Sequence, residues 1–251
     1  MCILHKISVI IPVFNSEATI KRAIMSVANQ SVRDIEILVC DDCSTDNSFD
    51  ILKALSDDDP RIKLTRNATN RGAGLTRDKL LKQATGEYFA FLDSDDHWLP
   101  GKLDAQLNLM ERKALDICFT QYRIVDEAGT ILGERSAPTK ITFKKMLATN
   151  WIPTSAAILR ADLLGARDMP ALRRRQDYGY WLHLFSKNLN LRCEQLNDIM
   201  VVYLRRKESL SSNKIQNVMF NYKMFREVCG YNRMYVVLLI IINAIIRLRR
   251  V

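Results

Sequence analysis

Acidic residues gather at two points of the chain, Asp93-Ser-Asp95-Asp96 and Asp41-Asp42. Each group directly follows a short apolar run, Tyr88-Phe-Ala-Phe-Leu92 in one case and Ile35-Glu-Ile-Leu-Val-Cys40 in the other. Two carboxylates at i and i+2 with a small residue between them suit a hard divalent cation, Mn²⁺ or Mg²⁺, that keeps water and substrate phosphate oxygens in its remaining positions. Asp93 and Asp95 fit that description. The spacing alone is common, and its weight comes from its position after a strand. At Asp41 and Asp42 a carboxylate can accept the N–H of a pyrimidine base or the hydroxyls of a ribose. A helix cap explains the same residues, with Ser44, Thr45 or Asp46 capping and the aspartates favouring the helix N-terminus.

These acids need a scaffold, and the first hundred residues describe one. Ile7-Ser-Val-Ile-Ile-Pro-Val13 is apolar enough for a strand buried on both faces. It stops at Asn15-Ser16, good cap residues, and from Glu17 to Gln30 the residues Ile20, Ala23, Ile24, Val27 and Ala28 recur at helical spacing. Further strands are expected over 35–40, 62–64 and 88–92, and further helices over 47–56 and 73–84. Such alternation implies right-handed βαβ crossovers and a Rossmann-like, mostly parallel sheet with helices on both faces. Ligands bind beyond the carboxyl ends of such strands, where the acids lie.

Past residue 100 the pattern loosens. Helices are expected over 102–113, 142–148, 178–186 and 214–229, and a strand over 116–125. Asp126-Glu-Ala-Gly129 is a hairpin signal leading into Thr130-Ile-Leu132, and 192–204 reads as two short strands turning at Asn197-Asp198. There are no internal repeats.

With 251 residues, 48% hydrophobic content, 9 Gly and 6 Pro, the chain is an ordinary globular one, neither collagenous nor disordered. Its net charge of +9 is uneven: residues 205–251 hold 10 Lys/Arg against 2 acids, whereas the first 204 hold 27 against 26. Basicity beside the apolar run Tyr235 to Ile246 points to an anionic partner such as phospholipid head groups or a lipid diphosphate. Six scattered cysteines and an N-terminus without a signal-peptide pattern lead to the expectation of a reducing, cytoplasmic compartment. Cys40 and Cys43 form a C-x-x-C without a second pair, which reads as two small residues at a strand end.

Five motifs in order, Pro12-Val-Phe-Asn15, Val39-Cys-Asp-Asp-Cys-Ser-Thr-Asp46, Asn70-Arg-Gly72 with Arg77, Gly86 through Asp96, and Trp98 with Pro100, resemble those of family 2 glycosyltransferases with the GT-A fold. Arg174-Arg-Gln-Asp-Tyr178 with Trp181-Leu182, and Tyr203-Leu-Arg-Arg with Ser209-Leu-Ser211, extend the resemblance to roughly residues 7–212. The layout is similar to bacterial enzymes that extend lipid-linked O-antigen, lipopolysaccharide or exopolysaccharide sugars. The resemblance implies a nucleotide-sugar donor against Pro12, Val13, Phe14, Asn15, Asp42 and Asp41, with Asp93 and Ser94 beside it and Asp93 and Asp95 on the metal. Arg77 would steady the donor's phosphates or the acidic cluster. Asp177 falls where the family places its general base, taking a proton from the acceptor hydroxyl and giving inversion in one displacement.

Three residues depart from the family pattern: Gln176 for Glu, Cys43 for Gly, and Asp78 where Asn is common. Trp151 and the polar Thr154 and Ser155 are candidate acceptor or donor sugar contacts, with a core role the alternative for Trp151, and Arg205 and Arg206 are candidate phosphate contacts. The implied organisation is a nucleotide-sugar-binding half over 1–100, an acceptor half with the base over 101–212, and basic, apolar C-terminal helices over 213–251. The apolar run is too short to span a bilayer and reads either as peripheral attachment to the inner face of the cell membrane or as a buried helix. The expected activity is a metal-dependent hexosyltransferase moving galactose or glucose from a UDP-sugar to an undecaprenyl-diphosphate-linked saccharide. A sugar nucleotidyltransferase and a non-catalytic subunit of a polysaccharide complex are the alternatives, and nucleic acid is not an expected partner.

Overall fold

A computed structural model describes residues 7–163, 165–170, 172, 175–188, 190–205 and 214–249. Its first part is a run of βαβ units: β1 (Ile7–Val13), α1 (Ile20–Ala28), β2 (Ile35–Asp41), α2 (Ser48–Asp58), β3 (Ile62–Arg66), α3 (Ala73–Gln83) and β4 (Tyr88–Phe91). The four strands are all parallel, in the order β3-β2-β1-β4. Every residue of β1 and β2 is buried, as sheet centres covered on both faces require.

Burying β2 also buries Glu36. Ser8 Oγ, Lys63 Nζ and both the N–H and hydroxyl of Thr85 donate to its carboxylate, at 2.5 to 2.8 Å. Burial alone would raise this carboxyl's pKa, but the Lys63, Ser8 and Thr85 hydrogen bonds outweigh it and bring it down to about 2.

Beyond β4 the sheet becomes mixed. The later elements are β5 (His97–Trp98), α4 (Lys102–Lys113), β6 (Ile117–Val125), β7 (Ile131–Arg135), β8 (Lys140–Ile141), α5 (Phe143–Ala148), a 3₁₀ turn (Thr154–Ala156), β9 (Ala157–Arg160), α6 (Gln176–Lys187) and β10 (Cys193–Leu204). Strand β9 runs antiparallel to both β4 and β6 and so joins the parallel half to the rest. The expected pair of short strands over 192–204 is instead one twelve-residue strand. It stays parallel to β6 throughout and absorbs Asn197-Asp198 as a register shift between Leu196 and Ile199, because both sides already have a partner in β6.

Helix α6 is the anchor of this half. Tyr178, Tyr180 and Trp181 are fully buried, and Phe91 of β4 meets the Tyr180 and Trp181 rings edge to face at 5.9 and 5.8 Å. Two helices close the chain, α7 (Lys214–Glu227) and α8 (Arg233–Arg249). Val236, Leu239 and Asn243 of α8 are buried, and Asn243 Nδ2 donates to Tyr178 Oη and Leu147 O, both at 3.3 Å. Met234, Val237, Leu238, Ile241 and Ile245 lie exposed. One stripe of the apolar run is thus packed on the body and another is open. Among the described residues no helix is long and apolar enough to cross a membrane.

Candidate active site

The strand ends of β1, β2 and β4 converge on a cavity of about 470 Å³. Pro12, Val13, Phe14, Asp42, Asn70, Gly72, Ala73, Arg77, Asp93, Ser94, Asp95 and Gln176 line it. Eight of the sequence-nominated donor and metal residues are thus brought together, from four separate stretches of chain.

Asp42 organises the far wall. Its Oδ1 accepts Asn67 Nδ2 at 2.8 Å and Arg71 N–H at 2.9 Å, and its Oδ2 accepts Gly72 N–H at 2.7 Å. Gly72 enters α3 at φ +84°, a left-handed conformation that glycine adopts without strain. Asp41 does not line the cavity. Its carboxylate is wholly buried, where Arg66 Nε pairs with it at 3.0 Å and Ser44 N–H donates to it at 3.2 Å, so it holds the loop after β2.

Asn15 does not line the cavity either. Its Oδ1 accepts Thr45 N–H at 2.9 Å while Ser16 N–H donates to Ser48 Oγ at 2.7 Å. These two residues lace the loops after β1 and β2 together instead of capping α1, which begins four residues later and has no side-chain cap. Cys43 sits at φ +63° and Asn15 at φ +46°, left-handed positions where a residue with a Cβ costs about 1 kcal/mol or more. That geometry accounts for the family's glycine where this chain has Cys43.

The acidic end of β4 is built from several directions. Arg77 Nη2, on buried α3, donates to Asp93 Oδ1, placing this guanidinium on the acidic cluster; its Nε is buried and has no partner among the described residues. Ser94 Oγ meets Ser16 Oγ at 2.7 Å, and Thr19 Oγ1 donates to Ser94 O at 2.9 Å. Asp96 is buried, accepting the Ser155 hydroxyl on Oδ2 and Leu204 N–H on Oδ1 at 3.1 Å. Burial first, then the negative charges of Asp95 and Asp93, hold its carboxyl well above the usual carboxylate range. Arg77 offsets part of this charge at Asp93.

Ser155 is the residue that sequence reasoning undervalued. Its Oγ accepts Asp93 N–H at 3.1 Å while donating to Asp96, and its carbonyl accepts Trp98 Nε1 at 2.7 Å. Its neighbour Thr154 lines neither this cavity nor the one beside Trp151. No local pattern marks Ser155, since its partners lie 57 to 62 residues away.

Asp177 occupies the first turn of α6, and Asn150 Nδ2 donates to its Oδ2 at 3.1 Å. The residue before it, Gln176, lines the cavity and lies against α3, where a Cβ on Gly74 would meet the Gln176 side chain at 3.0 Å. Trp151 is half-buried and donates from Nε1 to Lys145 O at 3.1 Å. Exposed Arg205 follows Leu204 directly and donates its N–H to Val125 O at 2.8 Å. Arg206 lies outside the described residues.

Among the described residues no three His, Cys, Asp or Glu side chains enclose a metal ion by themselves. Asp93 and Asp95 supply two carboxylates, a donor set that fits a hard cation completed by a ligand's oxygens.

A βαβ half whose strand ends hold an acidic cleft, joined by a mixed half that brings a helix N-terminus to it, is the GT-A fold. The chain belongs to glycosyl transferase family 2, whose profile matches residues 8–166. It is 36% identical over 214 residues, 85% of this chain and 83% of the other, to UDP-Glc:alpha-D-GlcNAc-diphosphoundecaprenol beta-1,3-glucosyltransferase WfgD of Escherichia coli. It is 34% identical over 223 residues, 88% of each, to the putative teichuronic acid biosynthesis glycosyltransferase TuaG of Bacillus subtilis. The structure is similar to the crystal structure of S. aureus TarS 1-349 in complex with UDP-GlcNAc, with a TM-score of 0.73 and 25% identity, covering 94% of this chain and 70% of that one.

Proposed function

We propose that this chain is an inverting hexosyltransferase that moves glucose from UDP-glucose to an undecaprenyl-diphosphate-linked saccharide in surface polysaccharide assembly. The observation that carries this reading is the convergence of Pro12 to Phe14, Asp42, Arg77, Asp93 to Asp95 and Gln176 on one cleft. Relatives whose names specify UDP-glucose and a GlcNAc-diphospholipid favour glucose over galactose.

In this reading Pro12, Val13, Phe14 and Asp42 receive the nucleoside, and Asp93 with Ser94 receives its ribose. Asp93 and Asp95 hold a Mn²⁺ or Mg²⁺ that stabilises charge gathering on the departing diphosphate. Arg77 fixes Asp93 for that task. Asp177 takes the proton of the acceptor hydroxyl, whose oxygen forms a bond to the anomeric carbon. The bond from that carbon to the diphosphate oxygen breaks, and its electron pair leaves with UDP. Gln176 cannot share this task, because an amide is not a base at neutral pH. Exposed Arg205 is a further candidate partner of the acceptor's phosphates.

The open apolar stripe of α8, within a segment of net positive charge, rests in this reading on the inner face of the cell membrane. The test of function is a panel of UDP-sugars with a GlcNAc-diphosphate lipid analogue and Mn²⁺. Release of UDP with a product one hexose heavier supports the proposal. Release of pyrophosphate would assign the chain to sugar nucleotidyl transfer, and donor binding without turnover would make it a binding subunit.

A further inference from the structure

A second cavity, of about 400 Å³, includes Thr120, Tyr122, Arg135, Asn150, Trp151 and Gln195 in its lining. Two contacts tie it to the acidic cleft. Asn150 donates to Asp177 from Nδ2, while its Oδ1 accepts Ile152 N–H at 3.2 Å, so the amide is oriented from both ends. On the other side Tyr122 meets the Tyr203 ring edge to face at 5.9 Å. The next residue, Leu204, donates its N–H to Asp96 Oδ1 at 3.1 Å, so this strand end reaches the acidic cluster. Asp177 itself lines neither space, but its chain neighbour Gln176 lines one and its hydrogen-bond partner Asn150 lines the other.

The lining suits a sugar better than an apolar ligand. An indole and a phenol offer surfaces to the C–H face of a pyranose, and the half-buried Asn150 amide keeps a second N–H and a second lone pair that match ring hydroxyls, whereas Thr120 and Gln195 are buried and bonded within the protein. Arg135 is exposed and donates from Nη1 to Glu134 O at 3.2 Å, and a guanidinium carries five N–H donors in a fork that suits a phosphate. A cavity of this size falls within the range of about 300–1,000 Å³ common to small-molecule sites.

We propose that this cavity seats the acceptor, a pyranosyl diphosphate, with Trp151 as its stacking platform, Arg135 on its phosphates, and Asn150 as a positioning residue that holds Asp177 toward the acceptor hydroxyl. The assignment rests on the transferase reading above and adds the acceptor's place to it.

Tryptophan fluorescence gives a direct test. Trp98 and Trp181 are 2% and 0% exposed, so half-buried Trp151 is the reporter of this cavity. The full-length chain with UDP and Mn²⁺ is titrated with an α-linked GlcNAc diphosphate bearing a short alkyl tail. A saturable emission change is expected, and it should vanish in Trp151→Phe while calorimetry still finds UDP binding. In turnover, Trp151→Ala and the exposed-site variant Arg135→Ala should each raise the acceptor's KM about tenfold with the donor's KM unmoved. Asn150→Ala should instead lower kcat about tenfold with both KM values held, a split that loosened packing alone would not give. An emission change that persists in Trp151→Phe, or an acceptor KM unmoved in Arg135→Ala, overturns the assignment. Absence of UDP binding by the unaltered chain would instead overturn the transferase reading itself.

Discussion

The first hundred residues and the rest of the chain reach the same cleft by different means. In the parallel half each contributing carboxylate sits within a few residues of its own strand, Asp42 after β2 and Asp93 and Asp95 after β4. In the mixed half the groups that hold the site act across distance: the Ser155 hydroxyl on Asp93 and Asp96, the Leu204 N–H on Asp96, the Asn150 amide on Asp177. A parallel sheet delivers chemistry to its strand ends by topology alone, whereas the mixed half must assemble it by bridges.

The largest effect expected from this contrast concerns Asp177, since Gln176 leaves it as the only carboxylate in its motif. Asp177→Asn should lower kcat about 10³-fold, equivalent to about 4 kcal/mol of barrier, with donor affinity retained. Steady-state kinetics alongside UDP calorimetry measure both, and substantial retained turnover would remove Asp177 as the base.

Next comes the frame of the parallel half. Glu36→Gln leaves buried Ser8 and the exposed Lys63 and Thr85 without their shared anion and should cost about 2 kcal/mol at pH 7, read by urea denaturation. Because the carboxyl is lowered to about 2 on folding, from 4.5, its contribution is complete above about pH 5. It is lost as pH falls toward 2. The stability gap between the two proteins should narrow over that window, and kcat should be nearly unchanged.

The smallest effect tests a bridge. Ser155→Ala removes the hydroxyl that accepts from Asp93 N–H and donates to Asp96, and should lower kcat about tenfold for at most about 1 to 2 kcal/mol of stability. If its loss in stability exceeded that of Glu36→Gln while kcat stayed level, the distinction between the two halves would fail.

The same distinction explains what the sequence discloses. Ile7 to Val13, Ile35 to Cys40 and Tyr88 to Leu92 announce buried strands, and a topological rule places Asp42, Asp93 and Asp95 at the ends of the last two. Asp41 is misread because adjacent residues on a strand face opposite ways; only tertiary structure shows that Asp42 meets the cleft while Asp41 meets Arg66. Ser155 and Asn150 carry no local signal, since their partners are 27 to 62 residues distant. The apolar run of α8 combines a buried and an open stripe at helical spacing, which its composition alone does not separate.

The central claim, single displacement by an acceptor oxygen activated at Asp177, is tested most directly by the configuration of the new glycosidic bond. UDP-α-glucose labelled with ¹³C at the anomeric carbon is given to the intact chain with the GlcNAc-diphosphate lipid analogue and Mn²⁺, and the product's anomeric coupling is read by NMR. A β-linked disaccharide diphosphate is the predicted result. An α-linked product would contradict the account.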